Sequence, residues 1–451
     1  MGKITLAQAA AWCGGRVDPK YADIVFLGAN NDSRKIQPGQ LFLALQGVRD
    51  GHDFIPMATE KGAAAVLCTH CDADIPAIVV EDVRLALGQI AAGERQRIGM
   101  QVVAVTGSVG KSTTKEMIAS VLASTYRVAK TPVNHNNDIG MPMAILSMPE
   151  DTEVAVLEMG MNHFREIAYL TNIGRPDVAV IINIGTMHIE HLGSREGILK
   201  AKLEILEGMT AEGKLLLYGN DNYLWSVRND LPLQPVYFGT DASRCAILGQ
   251  NVVLGETVEF EAVSGGSNIP VHLNLEGGHY VSDSLAAVSV GLAMGISPEK
   301  ITQALASFRN MEGRQEILAV KGYTIIKDCY NAGPESMAAA LNVLGNRPGR
   351  KIAVLGDMLE LGSCAPVEHN KIGLIAAEKA ELVLAYGPNG GEVVKGALSG
   401  GMREEQAKAF LDRGELVAAL RKIACQGDVM LFKGSHGMHM ELALEQFLRD
   451  E

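Results

Sequence analysis

Short apolar runs alternate with longer amphipathic stretches along most of this chain, the signature of strands alternating with helices. In the first 82 residues the pattern predicts a helix over 5–13 and strands over 40–44, 65–67 and 77–80, a small α/β unit. A helical segment over 82–97 leads to strands at 102–105, 126–129, 153–157 and 178–183, with helices starting at Lys111 and over 164–170 and 196–206. The run Val178-Ala179-Val180-Ile181-Ile182 is apolar throughout, as expected of a parallel strand covered on both faces. A doubly wound, mostly parallel sheet follows, with its site at the carboxyl ends of the strands. Residues 208–275 read as glycine-punctuated short strands, followed by helices over 284–294 and 298–308. After Asn310-Met311-Glu312-Gly313-Arg314 a new series begins, with strands at 323–327, 351–355, 382–385 and 428–432 between helices. It reads as a second open, Rossmann-like α/β sheet, and no Gly-x-Gly-x-x-Gly loop opens it. The expected architecture is α/β with three domains: 1–82, 83–312 and 313–451.

Composition narrows the class. The 451 residues, with 47% hydrophobic and 20% charged side chains, describe a soluble globular chain of two or three domains. A net charge of −12 argues against sequence-independent nucleic-acid binding, so a nucleotide would be held by a local site. No apolar stretch reaches the length of a membrane span, and the run near the N-terminus is too short for a signal peptide. Seven scattered cysteines suit reduced thiols in a cytoplasm. Cys68 and Cys71 spell CxxC, but no second pair at zinc spacing accompanies them.

The stretch carrying the clearest chemistry is VVAVTGSVGKSTTKE, from Val102 to Glu116. A β-branched strand breaks at Gly107, passes Ser108, Val109 and Gly110, and reaches Lys111, Ser112 and Thr113 at the head of a helix. Such a turn aims backbone N–H groups at one point, where the helix dipole also favours a phosphate. Lys111 would reach the β/γ-phosphates and Ser112 would offer its hydroxyl to Mg²⁺. The bland alternative is a glycine-rich turn that merely starts a helix.

Other polar residues fall at predicted strand ends. Glu158 and His188 each follow an apolar strand, expected to lie side by side next to the loop, and both residue types ligate Mg²⁺ or Mn²⁺. Separately, each also suits a cap or a buried hydrogen bond. The loop Asn134 to Gly140, with Asn137 in it, is placed to line a substrate channel, against the plainer reading of a cap by Asp138. Lys202 lies on a helix whose Leu199, Leu203 and Leu206 share a face, which makes a solvated lysine the default; a buried, uncharged amine would instead add CO₂ to become a carbamate. Ser33 and Arg34 could hold a diphosphate or simply form a solvated turn. In the last domain, Asp328 to Pro334, Gly356 to Gly362 and Lys433 to His436 crowd the strand ends, favouring a cleft that faces the central domain.

At this point the residues resemble the Mur ligases of peptidoglycan synthesis over nearly the whole chain. The resemblance rests on DSR with DGHDF, TGSVGKSTTKE, NNDIG, EMG, the segment from His188 to Ile205, Gly313-Arg314, YNAGPESM, GDMLELG and KGS. It is nearest to the branch that adds a dipeptide; the DNPR sequence usual in the branch adding the third amino acid is absent. The resemblance implies an ATP-dependent, ADP-forming ligase, a cytoplasmic monomer whose small-molecule substrates are UDP-MurNAc-tripeptide and D-Ala-D-Ala. It implies that Ser33 and Arg34 meet the UDP end and that residues 107–113 hold ATP. Ser112 and Glu158 would hold one Mg²⁺, and His188 with carbamylated Lys202 a second. Arg314, Asp328 and Tyr330 would reach the nucleotide, as would Asp283, while Asn331, Ser336, Asp357 and His436 would face the dipeptide. The chain departs from the family at Tyr280 and Asp283, where asparagines are common, at Arg165 and Lys327, and at His436, which stands for a frequent arginine. Rival readings are a Mur ligase adding a single amino acid, a P-loop kinase or ATPase, and a nucleotide-binding module without catalysis.

Overall fold

The computed structural model describes residues 3–311 and 313–449, so Glu312, the last residue of the expected central domain, lies outside it. Three α/β layers emerge in chain order. The first carries a five-stranded sheet in the order Arg16–Val17, Ala77–Val79, Ala65–Cys68, Leu41–Leu43, Ala29–Asn30. Its helix Leu6–Cys13 begins where the Thr5 hydroxyl accepts from Gln8 in a capping box, and stops at Gly14, whose φ of 65° no β-branched residue adopts cheaply. Helix Val83–Ile98 starts on the Asp82 carboxylate, which accepts from the backbone of Arg84 and Leu85. It packs against Leu6–Cys13 on one side and against helices Gly140–Leu146 and Glu166–Gly174 of the central domain on the other, so one apolar core runs from Ile4 through Leu87 to Leu157.

The central sheet has nine strands, in the order Ser267–Leu273, Val258–Ser264, Ile247–Leu254, Val236–Gly239, Lys214–Tyr218, Val178–Ile181, Gln101–Thr106, Val154–Glu158, Val128–Lys130. Neighbours from Val128–Lys130 to Ile247–Leu254 run parallel, and two antiparallel pairings finish the far edge. Side chains alternate between faces as the pleat requires: Val102 and Ala104 enter one core, Val103 and Val105 the other. The strand expected over 126–129 begins at Val128, because the Tyr126 N–H still bonds to Leu122 O at the end of helix Lys111–Ala123. The helix expected from Ser284 starts five residues earlier, at His279. The strands carrying Glu158 and His188 flank Gln101–Thr106 on opposite sides, rather than lying next to each other as expected. The phosphate-loop strand thus sits between them.

The last domain is a six-stranded sheet, Glu316–Val320, Tyr323–Asp328, Val429–Lys433, Lys351–Gly356, Leu382–Tyr386, Ala407–Phe410, parallel except for the first pair. Apolar cores cover both faces. The two edge strands escape the sequence pattern, since Glu316–Val320 is only half buried and Ala407–Phe410 carries a lysine between alanines. No helix among the described residues is long and apolar enough to cross a membrane. The described cysteines are all free thiols.

Leu157 is 0% exposed in the strand before Glu158, whereas Leu411 is 77% exposed. Leu157→Ala is expected to cost about 2–5 kcal/mol in chemical unfolding, and Leu411→Ala to stay within about 0.5 kcal/mol. Equal costs would contradict this layer assignment.

Candidate active site

Strand Gln101–Thr106 ends in a loop shaped by its neighbours. A Cβ on Gly107 would stand 2.2 Å from Ile182 Cγ1, and Gly110, with φ of 87°, turns the chain into helix Lys111–Ala123. The Asn183 carboxamide holds the loop open: its oxygen accepts from Ser108 N–H at 2.9 Å and Val109 N–H at 3.0 Å, and its nitrogen donates to Val109 O at 2.9 Å. The Ser108 hydroxyl accepts from Gly185 N–H at 2.9 Å. Lys111 curls back, its ammonium donating to Gly107 O at 2.9 Å and Ser108 O at 3.2 Å. Burial lowers the Lys111 pKa, opposed by Glu158 and assisted by Arg314.

Beside the loop, Glu158 closes strand Val154–Glu158 and is 2% exposed. Its carboxylate oxygens accept from the Ser112 hydroxyl at 2.8 Å and the Asn136 amide at 2.9 Å. Lys115, fully buried behind it, lies 3.6 Å away and donates to Thr131 O at 2.7 Å. Burial alone would raise the Glu158 pKa; Lys111, Lys115 and the two hydrogen bonds outweigh it and keep the carboxyl below its ordinary range. A serine hydroxyl and an ionised carboxylate meeting at one point are hard oxygen donors of the kind Mg²⁺ takes. Arg314, from the start of the last domain, donates to that same Ser112 hydroxyl at 3.1 Å.

His188 holds φ of 64°, with its Nδ1 2.8 Å from the Glu360 carboxylate of the last domain. Lys202 is 1% exposed on helix Arg195–Leu203, and no hydrogen bond or ion pair engages its amine among the described residues. Burial first, and the charge of Lys111 second, push its pKa well below the usual lysine value. The solvated lysine of the helical pattern is therefore replaced by a buried amine that favours its neutral form, the form that reacts with CO₂.

The last domain roofs the loop and leaves a cleft of about 430 Å³. Across it, the Tyr330 hydroxyl donates to the Asn134 side chain, and the Arg314 guanidinium lies 3.9 Å from the Tyr330 ring centroid. Glu335 accepts from Thr186 N–H at 2.9 Å and from its hydroxyl at 3.1 Å. Asp328 accepts from Lys433 Nζ at 2.6 Å, and the same ammonium donates to Asn331 O at 3.0 Å. The Ser336 hydroxyl accepts from Gly333 N–H at 3.0 Å and caps the helix Pro334–Asn346. Asn137, not Asp138, caps the helix after its loop, accepting from Gly140 N–H at 2.8 Å, while Asp138 pairs with Arg84 at 2.6 Å. Asn310 ties the junction, donating to Tyr280 Oη at 2.7 Å and Arg314 O at 2.6 Å. Asp283 accepts from the Thr114 hydroxyl at 3.0 Å, and burial pushes its pKa up to about 7 against the pull of that bond and of Arg314.

Of the residues expected from sequence, Ser108 to Thr113, Asn134, Asn137, Glu158, His188, Asp283, Arg314, Asp328, Tyr330, Asn331 and Ser336 line this cleft. Lys202 lies behind it. Asp357 stands apart, its oxygens accepting from the Asn389 backbone at 3.0 Å and side chain at 2.9 Å. His436 is exposed, its ring 6.2 Å from that of Tyr330. Ser33 points at the Met57 sulfur at 3.3 Å, and Arg34 forks onto Asp32 with both bonds at 2.9 Å, far along the chain from the loop. Sequence reasoning misses Asn183, Lys115 and Glu335. Asn183 carried a signal, a carboxamide ending an apolar strand beside the loop; Glu335 had none short of the packing between domains.

Comparison with known proteins places this geometry. Family models for the Mur ligase middle domain, the Mur ligase glutamate ligase domain and the Mur ligase family catalytic domain match residues 105–291, 313–436 and 24–95. The chain belongs to the Mur ligase family. Within it, the chain is 39% identical over 437 residues to "UDP-N-acetylmuramoyl-tripeptide--D-alanyl-D-alanine ligase" of Bacillus subtilis (strain 168), covering 95% of this chain and 94% of that one. The protein of the same name from Escherichia coli (strain K12) is 34% identical, covering 98% and 97%. The crystal structure of MurF from Acinetobacter baumannii superposes with a TM-score of 0.92 at 32% identity over 100% of both chains. MurF of Thermotoga maritima, solved with ADP, gives 0.82 at 29% identity, covering 93% and 96%.

The Asp283 shift has a thermodynamic signature. Unfolded, its carboxyl titrates near pH 3.9; folded, it holds its proton up to about pH 7. Between those values the folded state binds more protons, so this group's contribution to stability falls as pH rises and levels off above pH 7. The isosteric Asp283→Asn is expected to remove that fall: relative to the variant, the native chain loses roughly 1–4 kcal/mol between pH 4 and pH 7.5. Denaturant midpoints of both proteins across that range check it, and a constant difference would contradict the burial assigned to this carboxyl.

Proposed function

We infer that this chain is a cytoplasmic, monomeric ATP-dependent ligase that joins D-alanyl-D-alanine to UDP-N-acetylmuramoyl-tripeptide, forming the pentapeptide precursor of peptidoglycan with release of ADP and phosphate. The observation that carries the reading is the meeting of the phosphate loop, the ionised Glu158 and the incoming Arg314 at the single hydroxyl of Ser112.

A carboxylate will not condense with an amine in water because oxide is a poor leaving group. In the proposed sequence, the terminal carboxylate of the tripeptide attacks the γ-phosphorus of ATP; the new O–P bond forms as the bond to the β-phosphate oxygen breaks, leaving an acyl phosphate and ADP. The neutral amine of the dipeptide then adds to the acyl carbon, and collapse of the tetrahedral adduct expels phosphate while the nitrogen loses a proton. Lys111 leaves its loop carbonyls for the β/γ-phosphates, and Arg314 adds a second positive charge from the opposite wall; catalysis of such transfers rests mainly on stabilising the charge that develops. Ser108, Val109, Gly110, Ser112 and Thr113 cradle the phosphates beside Gly107, with Asp283, Asp328 and Tyr330 nearer the rest of the nucleotide. Asn134 and Asn137 line the path of the tripeptide, and Ser33 and Arg34 meet its UDP end. Asn331, Ser336 and His436 face the dipeptide, and Asp357 acts there by fixing the Asn389 loop. The roof of Tyr330 and Glu335 excludes water that would hydrolyse the acyl phosphate.

Ser112 and Glu158 would hold one Mg²⁺, and His188 with a carbamylated Lys202 would hold a second; the ions would supply positive charge against the phosphoryl group being transferred. A carbamate on Lys202 needs the neutral amine, and burial disfavours the charged one. It also turns a cation that would repel a metal into an anionic ligand.

Phosphate release with ATP, Mg²⁺ and UDP-MurNAc-tripeptide is expected to depend on D-Ala-D-Ala, with mass spectrometry showing the amide product and single amino acids giving none. Phosphate release that is indifferent to the dipeptide would instead mark a plain ATPase. Lys202→Ala is expected to lower turnover by ~10²-fold or more, with partial rescue by small carboxylates such as formate or acetate. Full activity in that variant would rule out the carbamate.

A further inference from the structure

A second pocket, a solvent-open groove of about 570 Å³, lies where helix Leu6–Cys13, helix Val83–Ile98 and the end of helix Glu166–Gly174 come together. Trp12, Gln89, Gln96, Asn172, Arg95 and Arg175 line it, and it shares no lining residue with the catalytic cleft. Two guanidiniums face one space here without a carboxylate between them. Arg95 Nε is buried and lacks a hydrogen-bond partner among the described residues. Its charge is opposed by burial and then by Arg175; the favourable influence comes from Asp177, whose carboxylate accepts from Val102 N–H at 2.8 Å. Several other arginines of this acidic chain are paired: Arg34, Arg84, Arg97 and Arg350 each hold a carboxylate within 2.9 Å. Arg95 is half-buried, and a partly desolvated guanidinium with a like charge beside it is stabilised when an anion completes the set.

The rest of the cavity fits an anion attached to something larger. Gln89 and Gln96 bring side-chain amides whose N–H groups can reach further oxygens, while the Asn172 amide donates to Ala168 O at 2.7 Å and has one N–H left over. Trp12 lies flat against the backbone of helix Val83–Ile98, because residue 93 is glycine; a Cβ there would stand 2.3 Å from Trp12 Cδ2. The indole gives one wall a planar apolar surface next to the guanidinium forks. Guanidinium pairs match the tetrahedral oxygens of a phosphate, and the volume falls in the range of small-molecule sites.

We propose that the cavity between Trp12, Arg95 and Arg175 is a binding site for a small organic phosphate, a phosphomonoester carried on a planar group, separate from the catalytic cleft. The phosphate bridges the two guanidiniums and the planar group covers Trp12.

The chain has two tryptophans, so Trp225→Phe leaves Trp12 as the sole indole reporter. In that background, AMP as probe is expected to change Trp12 emission saturably, with half-saturation near or below ~1 mM, while adenosine leaves it unchanged and inorganic phosphate binds more weakly. Arg95→Gln and Arg175→Gln are each expected to raise the half-saturation by ~10-fold or more, and Lys111→Ala to leave it in place. Arg175 is exposed, so its variant keeps the comparison available if Arg95→Gln lowers stability. Absence of a saturable change, equal responses to adenosine and AMP, indifference to both arginine variants, or loss of the signal in Lys111→Ala would overturn the proposal. Loss of ligase activity in any of these proteins has no bearing on it, and the Lys111→Ala arm separates a signal arising in this pocket from one arising in the catalytic cleft.

Discussion

A carboxylate sealed from water inside a protein reverts to its acid unless its neighbours supply what water supplied, and Glu158 is held charged by four of them. Ser112 and Asn136 donate to its two oxygens, Lys115 stands behind it, and Lys111 lies nearby. Together they tie the site to two parts of the fold. Ser112, Lys111 and Lys115 come from the helix that opens on the phosphate loop, and Asn136 from the polar loop before the next helix. Lys115 is in turn anchored to Thr131, whose hydroxyl also accepts from the Glu158 backbone at 3.0 Å. The strand order, with Gln101–Thr106 between Val154–Glu158 and Val178–Ile181, makes this convergence possible. It puts the loop at the centre, Glu158 on one flank and Asn183 on the other.

Asn183 answers a second need. Loop N–H groups aimed at a phosphate must be satisfied in some way without it, and the Asn183 carboxamide takes two of them while returning a donor to Val109 O. Lys111 is likewise parked on loop carbonyls. The protein's own groups thus fix the shape of the loop, and a site shaped by its own contacts lessens the entropic cost of binding.

The core and the nucleotide side of the site were legible in the chain because each rests on local pattern. Apolar runs of four or five residues marked the parallel strands, and Gly107, Gly110 and Lys111 marked the loop between strand and helix. An edge strand such as Ala407–Phe410 left no such mark, because its two middle residues are exposed and the lysine there breaks the run. The placement of Lys202 could not be read either: heptad-like leucines put it on the outer face of an isolated helix, and only the neighbouring elements bury it. The contact of Glu335 with Thr186 joins residues 149 positions apart, a separation over which no periodicity speaks. Motif resemblance pointed to Arg314, Asp328, Tyr330, Asn331 and Ser336, which line the cleft, but not to the way Asp357 commits its oxygens to Asn389.

The junction at Asn310 and Arg314 has one more implication. Arg314 touches Ser112 and stacks on Tyr330, yet it belongs to the segment that carries the last domain. If that domain swings outward, the guanidinium leaves with it, and the electric potential felt at the phosphate loop drops at the same moment that the roof opens. Retention and discharge of the spent nucleotide are therefore mechanically geared: the same swing that gives ADP a way out also weakens the grip on its charge.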